Sequence, residues 1–202
     1  MPENSLMPTE KNPDTRRRIM DIFFGLLEKR SLDKITVRQI CQEAGVNRQT
    51  FYYHFGSMDD FLTECMNTAF TGVLGESNVP LRWEDGLYKL LTALRGSKNI
   101  IHNIFFSSYR GNLENFMNDY ARAILMKAVS ECAKRNQIQV SEADQIIVAR
   151  FYRYVFVGLL IQYIQDDMAE KPEAIMRRCH RIMDYQLDRI LIRLAENPDK
   201  GR

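Results

Sequence analysis

Asn47, Arg48, Gln49 and Thr50 stand in a row, followed one turn on by Tyr52, Tyr53 and His54. These side chains suit a nucleic acid. Arginine bonds guanine bidentately, and asparagine or glutamine does the same with adenine. The Thr50 methyl can meet a thymine methyl, and its hydroxyl a phosphate. Tyrosine hydroxyls and an imidazole can hold the sugar-phosphate backbone. Helix N-termini at Thr36 and Ser57 would offer free backbone N–H groups to phosphates. Arg38 adds a cation beside Thr36. The candidate DNA-binding set is therefore Thr36, Arg38, Asn47, Arg48, Gln49, Thr50, Tyr52, Tyr53, His54 and Ser57.

Other chemistries find little to work with. His54, His102 and His180 are scattered, and none belongs to an HExxH pattern. There is no GxGxxG, no GxxxxGK[ST] and no GxSxG. Asp166 and Asp167 are adjacent, so on a helix they point about 100° apart. No residue is assigned to catalysis, to a metal or to a cofactor. Cys41, Cys65, Cys132 and Cys179 lie far apart with no CxxC pair, which argues for reduced structural thiols. The N-terminal MPENSLMPTEKNPDT is polar and lacks an apolar signal core, so a cytoplasmic protein is expected. Residues 146–164 hold fifteen apolar residues in nineteen. Arg150 and Arg153 lie inside that stretch, and a membrane centre penalises each by about 2.5–3.5 kcal/mol. It reads as a buried helix.

The elements that must position the candidate set are helical throughout. The 202 residues are 45% hydrophobic and 27% charged, with only 10 Gly and 6 Pro. That composition suits a globular chain and disfavours a loop-rich all-β or Gly-rich nucleotide-binding fold. The net charge of +2 announces no polyanion by itself. Residues 11–56, however, carry nine Lys/Arg against five Asp/Glu. Ile19, Ile22, Phe23, Leu26 and Leu27 form one apolar stripe of a first helix, capped by Asp14 or Thr15. Thr36 opens a short helix to Ala44, and Gly45 permits a tight turn. Asn47 caps a second short helix, Arg48 to Phe55, ended by Gly56. Phe51 and Phe55 should pack on the first helix. Tyr52, Tyr53 and His54 cannot all be buried. A fourth helix starts at Ser57, with Phe61, Leu62, Cys65, Met66, Ala69, Phe70 and Val73 on its stripe. The turn-rich GESNVPL, residues 75–81, marks a hinge or module connection, with the fourth helix as the alternative bridge between the two parts.

Further helices are expected near 82–95, 98–109, 112–135, 142–168 and 172–195, about nine in all. The chain divides into a tail (1–13), a helix-turn-helix unit (14–56) and a C-terminal unit (57–202). The helix at 142–168 is apolar nearly all round and needs cover on every face, from a partner subunit or from a monomeric bundle. Aromatic residues between Trp83 and Phe156 can line a pocket with hydroxyl handles or fill a core, and the core reading is favoured. Arg150 and Arg153 share a side of their helix. They pair with acids across a dimer or bind an anionic effector, the former being preferred.

TVRQICQEAGVNRQTFYYHFGSMDDF, Thr36 to Phe61, resembles the DNA-binding region of the TetR family of bacterial transcriptional regulators. The resemblance covers roughly residues 14–70. The NRQTFYYHF variant is similar to a subgroup that includes dihydroxyacetone-operon regulators. The family resemblance implies an all-α fold, with a three-helix DNA-binding domain ahead of a helical bundle for dimerisation and ligand binding. It implies a homodimer made by the last two helices, double-stranded operator DNA as partner, and a small-molecule effector in a C-terminal cavity. A ligand-responsive repressor on a palindromic operator is the expectation. Departures stand at Asn47, where many members have Ser, at Gln49, where many have Gly, and at Met58, where many have a phosphate-binding Lys. Met58 and the modest basic charge motivate a rival reading, an interaction or coactivator module whose helix-turn-helix no longer grips DNA.

Overall fold

The structure is a computed structural model that describes residues 13–74, 82–183 and 185–197. The expected tail, apart from the backbone of Pro13, and the break at 75–81 lie outside the described residues, as do the side chains of Phe70 and Val73. Every regular element among the described residues is helical.

Helix α1 spans Pro13–Leu27. It begins one residue before the expected caps, so Asp14 falls in its first turn. Proline suits a first helical position because that position has no use for an N–H. Ile19, Met20, Phe23, Leu26 and Leu27 form its buried stripe. A short 3-10 turn, Leu32–Lys34, leads to α2 (Val37–Ala44). The Thr36 hydroxyl caps α2 by accepting from Gln39 N at 3.2 Å. Gly45 ends it at φ 63°, a left-handed conformation that costs glycine little. Helix α3 (Arg48–Phe55) follows at once, then Gly56 at φ 77° and α4 (Met58–Leu74).

Four phenylalanines hold this unit together. The Phe61 ring centroid lies 4.9 Å from Phe23, 5.0 Å from Phe51 and 4.6 Å from Phe55, all edge-on. Each such pair adds about 0.5–1.5 kcal/mol beyond area burial. Phe51 and Phe55 thus pack toward α1 as their spacing predicts. Phe61 belongs to α4, so α4 completes the helix-turn-helix core and also packs on the C-terminal helices α5 (Trp83–Gly96) and α7 (Arg110–Arg135).

Between those two lies α6 (Lys98–Phe105). It stops short of the expected 109, because Ser107 Oγ donates to Ile104 O at 2.7 Å and accepts from Tyr109 N at 3.1 Å, competing with helical bonding. Helices α7 and α8 (Glu142–Gln165) are the longest and pack along one another. Ser141 caps α8, accepting from Asp144 N at 3.1 Å. The expected last helix is instead two, α9 (Pro172–Met183) and α10 (Gln186–Glu196), with Tyr185 left-handed at φ 57° between them. The break lets α10 reach α7. There the Asp188 carboxylate accepts from Arg135 and Asn136, both at 2.6 Å, and from Cys132 Sγ at 3.3 Å.

Candidate nucleic-acid interface

Helix α3 has two faces, and its phasing explains both. At about 100° per residue, Arg48, Gln49, Tyr52 and Tyr53 fall within an arc of about 140°. All four are exposed, the two tyrosines at 48% each. Phe51, His54 and Phe55 occupy the opposite side, at 0%, 7% and 5% exposure. A short helix with a rigid aromatic back and a polar outward row is the geometry a major groove admits.

His54 is a correction to the expected contact set. It lies three residues after Phe51 and beside Phe55, so its phase carries it inward, where its ring sits 5.5 Å from Tyr53 and 6.0 Å from Phe55. Residue type suggested a phosphate contact, whereas angular position would have found the burial.

Most of the remaining candidates carry specific local commitments. Asn47 Oδ1 accepts from Thr50 N at 2.7 Å and from Thr50 Oγ1 at 3.0 Å. Its carboxamide oxygen is therefore spent on the cap, and only the Nδ2 donors remain for a base. The Thr50 hydroxyl proton is spent likewise. Ser57 Oγ donates to Asp60 Oδ2 at 2.6 Å and accepts from Asp60 N at 3.0 Å, capping α4. Thr36 and Arg38 are exposed at the start of α2. Arg16 is withdrawn from solvent duty. Its guanidinium is bonded twice to the Glu64 carboxylate of α4, which raises its pKa, and stacks 5.2 Å over the Phe55 ring. Arg17, Arg18, Lys29, Lys34, Arg38 and Arg48 remain as the exposed cations of this region.

A second connection between the units has no counterpart in the sequence reading, which gave coupling to α4 alone. Asn103 Nδ2 of α6 donates to Leu27 O at 2.7 Å, at the end of α1. Ser108 N and Oγ donate to Asp33 Oδ1 at 3.0 and 2.6 Å, which holds the Asp33 carboxyl below its ordinary range. Asn99 Nδ2 donates to Glu28 Oε2 at 3.3 Å. A backbone carbonyl such as Leu27 O leaves no mark in a sequence.

Residues 24–65 match the model of bacterial regulatory proteins, tetR family, and residues 82–185 match that of a transcriptional regulator C-terminal region. The chain belongs to the TetR family. This TetR-family regulator is thus a DNA-binding transcriptional regulator with an N-terminal helix-turn-helix and a C-terminal helical domain. It is similar to the dhaKLM operon transcriptional activator DhaS of Lactococcus lactis subsp. lactis (strain IL1403), at 23% identity over 142 residues, covering 70% of this chain and 75% of that one. It is also similar to the HTH-type transcriptional regulator YxbF of Bacillus subtilis (strain 168), at 21% identity over 187 residues and 88% of this chain. It spans only 47% of that second relative. Among solved structures, the dihydroxyacetone kinase operon activator DhaS superposes with a TM-score of 0.62 at 20% identity, covering 90% of this chain and 96% of that one. NalD, the secondary repressor of the MexAB-OprM multidrug efflux pump in Pseudomonas aeruginosa, gives 0.58 at 18% identity, covering 95% and 100%. At such identities the likeness establishes the fold.

Two features of the C-terminal part bear on how the regulator works. On α8, Ile147, Phe151, Tyr154 and Val155 are exposed at 52%, 64%, 62% and 46%. The helix expected to be covered on every face is therefore open on one. By length and composition it is the single described helix able to cross a membrane, though Arg150 and Arg153 interrupt it. All four cysteines are free and buried, and burial pushes their thiols up, Cys132 to about 11. Raised thiols disfavour the reactive thiolate, which suits a structural role.

Proposed function

We propose that this regulator works in the cytoplasm as a homodimer on a palindromic operator, and that it is a repressor whose grip an effector loosens. The observation that carries the reading is the outward row of Arg48, Gln49, Tyr52 and Tyr53 on a helix fixed from behind by Phe51 and Phe55. Arg48 and Gln49 read base edges. Asn47 Nδ2 assists from the cap. Tyr52, Tyr53, Thr36, Arg38 and the first amides of α4 at Ser57 hold phosphates. Residues 14–56 supply the contacts and residues 57–202 the dimer and the control.

The open face of α8, with Ile182 of α9 exposed at 71%, is the surface a second copy would cover. Two-fold symmetry would then place the recognition helices in successive major grooves, about 34 Å apart. An effector acts through its differential affinity for two such spacings. The α6 clamps on α1 give it a route beside α4. An apolar cavity of about 300 Å³ under α6, among Phe24, Met66, Ile100, Ile104 and Leu113, leaves that helix room to shift.

Fluorescence anisotropy with a labelled fragment from upstream of the protein's own gene tests the reading. Binding should be saturable and far tighter than to random duplex of equal length. Equal affinity for both would return the interaction-module reading. The DhaS relative is an activator by name. In-vitro transcription from the same fragment separates the signs, because added protein lowers transcript for a repressor and raises it for an activator.

A further inference from the structure

We propose that the groove between α7 and α8 binds a small amphipathic anion, a carboxylate carrying an apolar body. The groove has a volume of about 680 Å³ and is lined by Arg122 and Met126 from α7 and by Ile146, Arg150, Arg153 and Tyr154 from α8, with two alanines between them. Three guanidiniums thus converge and no carboxylate lines the space. Arg122 meets Asp119 at 3.3 Å on the exposed surface. Among the described residues, no carboxylate stands within ion-pair distance of Arg150 or Arg153.

Arg153 shows what is missing. Its guanidinium lies 4.8 Å over the Tyr154 ring, while its Nε is closed off from water and has no acceptor. Buried donors are ordinarily satisfied, and a charged one without an acceptor is costly. Arg150 and Arg153 are also three residues apart, so like charges face one another on one side of α8. An oxyanion seated in the groove relieves that repulsion through the terminal guanidinium nitrogens, with the two-pronged geometry that arginine offers carboxylates, and it reaches the Nε–H once Arg153 swings off the Tyr154 ring. Met126, Ile146 and the Tyr154 ring supply the apolar half of the site.

A second copy of the chain is a poorer source of the negative charge. On α8 to α10, Asp144, Asp166, Asp167, Glu170, Glu173 and Asp188 already accept from donors within the chain, which leaves Glu142 and Glu196, at the two ends of this stretch, as the described acids without such a bond. The exposed side of α9 and α10 carries Arg177, Arg181, Arg189 and Arg193, so it brings cations to any symmetric contact. A diffusible anion fits the groove better than a partner's acid. Its site shares Tyr154 with the open face of α8, and α7 packs on α4 and α6, which ties occupancy to the DNA-binding unit. Only that last consequence rests on the proposed effector-responsive function.

The test is thermal unfolding of the full chain with octanoate, with 1-octanol as the uncharged body and inorganic phosphate as the bare charge. Octanoate at about a hundredfold excess over its dissociation constant should raise the midpoint by about 5–10 °C. Arg153→Met should remove most of that shift. So should Arg150→Gln, an exposed position whose replacement leaves folding intact. The proposal is overturned by no shift with octanoate, by an equal shift with octanol or phosphate, or by a full shift in Arg150→Gln. It is also overturned if Arg153→Met sediments as a monomer where the unsubstituted protein is a dimer, since Arg153 would then pair across subunits. Operator anisotropy with and without octanoate reads the other question. A thermal shift with unchanged operator affinity upholds the anion site and removes only its regulatory role.

Discussion

Phe151 and Phe106 make a matched pair for testing the dimer surface. They are exposed to nearly the same degree, 64% and 63%, on different faces of the chain. Phe151 sits in the middle of the open apolar face of α8, whereas Phe106 lies just past α6. A phenylalanine side chain carries about 200 Å² of surface. If a second copy covers the exposed 64% of Phe151, about 130 Å² leaves water. At about 25 cal/mol per Å² that is about 3 kcal/mol. Two-fold symmetry uses the residue twice, so Phe151→Ala removes up to about 6 kcal/mol, or about four decades in the dimer dissociation constant. Sedimentation velocity across a dilution series measures that constant directly. Phe151→Ala should dissociate at concentrations where the unsubstituted protein stays dimeric, while Phe106→Ala should leave the equilibrium within about threefold. Near-equal behaviour of the two variants, in either direction, would refute the assignment of this face.

Arg48→Ala should cost about 1–3 kcal/mol of operator binding and relax preference at one position of each half-site, whereas Tyr53→Phe should weaken all sequences alike; quantitative footprinting on a randomised half-site distinguishes them. With Arg16 held by Glu64, suppose that about two of the remaining exposed cations neutralise phosphates in each subunit, about four in a dimer. The slope of log affinity against log salt is then about −3.6; if Arg16→Gln left a slope well beyond that unchanged, the extra phosphate contacts would come from the other exposed cations, and a slope near zero would refute direct phosphate contact. Asp188 predicts acid sensitivity. Burial pushes its carboxyl up, but donors from Asn136, Arg135 and Cys132 outweigh burial and hold it below its ordinary 3.8. A depressed folded pKa stabilises at neutral pH, and that contribution fades as pH falls below about 4. Asp188→Asn should therefore lower the melting temperature at pH 7 and flatten its dependence between about pH 5 and 3. Parallel loss in both proteins would rule out the α7–α10 anchor as the cause.

The helix-turn-helix was legible because its signals are local. Thr36 and Asn47 each bond a backbone N–H three residues on, and Gly45 takes the left-handed turn that its sequence position suggests. Such features need no knowledge of the rest of the chain. The pairing of Arg16 with Glu64 was illegible for the opposite reason, since 48 residues separate the two. His54 failed because residue type was weighed without phase. On a helix of two turns, three consecutive polar or aromatic residues cannot share a face, and the one nearest Phe51 and Phe55 goes inside.

The end of the chain shows how tertiary packing overrides a periodic stripe. Cys179, Ile182, Met183, Leu187 and Ile190 keep helical spacing across residues 184 and 185, and periodicity alone draws one helix through them. A straight helix would carry Asp188 and Leu191 along the direction of α9. The left-handed Tyr185 redirects the chain instead, so that Leu191 is fully buried and Asp188 gathers three donors at the end of α7. A strained non-glycine residue costs of order 1–3 kcal/mol. Three hydrogen bonds to a charged acceptor, at about 1.5–3 kcal/mol each, are sufficient to hold it there. Ile182, just before the bend, is 71% exposed. Asp188→Asn, by freeing the bend that anchors α10 on α7, should therefore loosen the fold at this end and disturb the proposed dimer surface next to it in sequence.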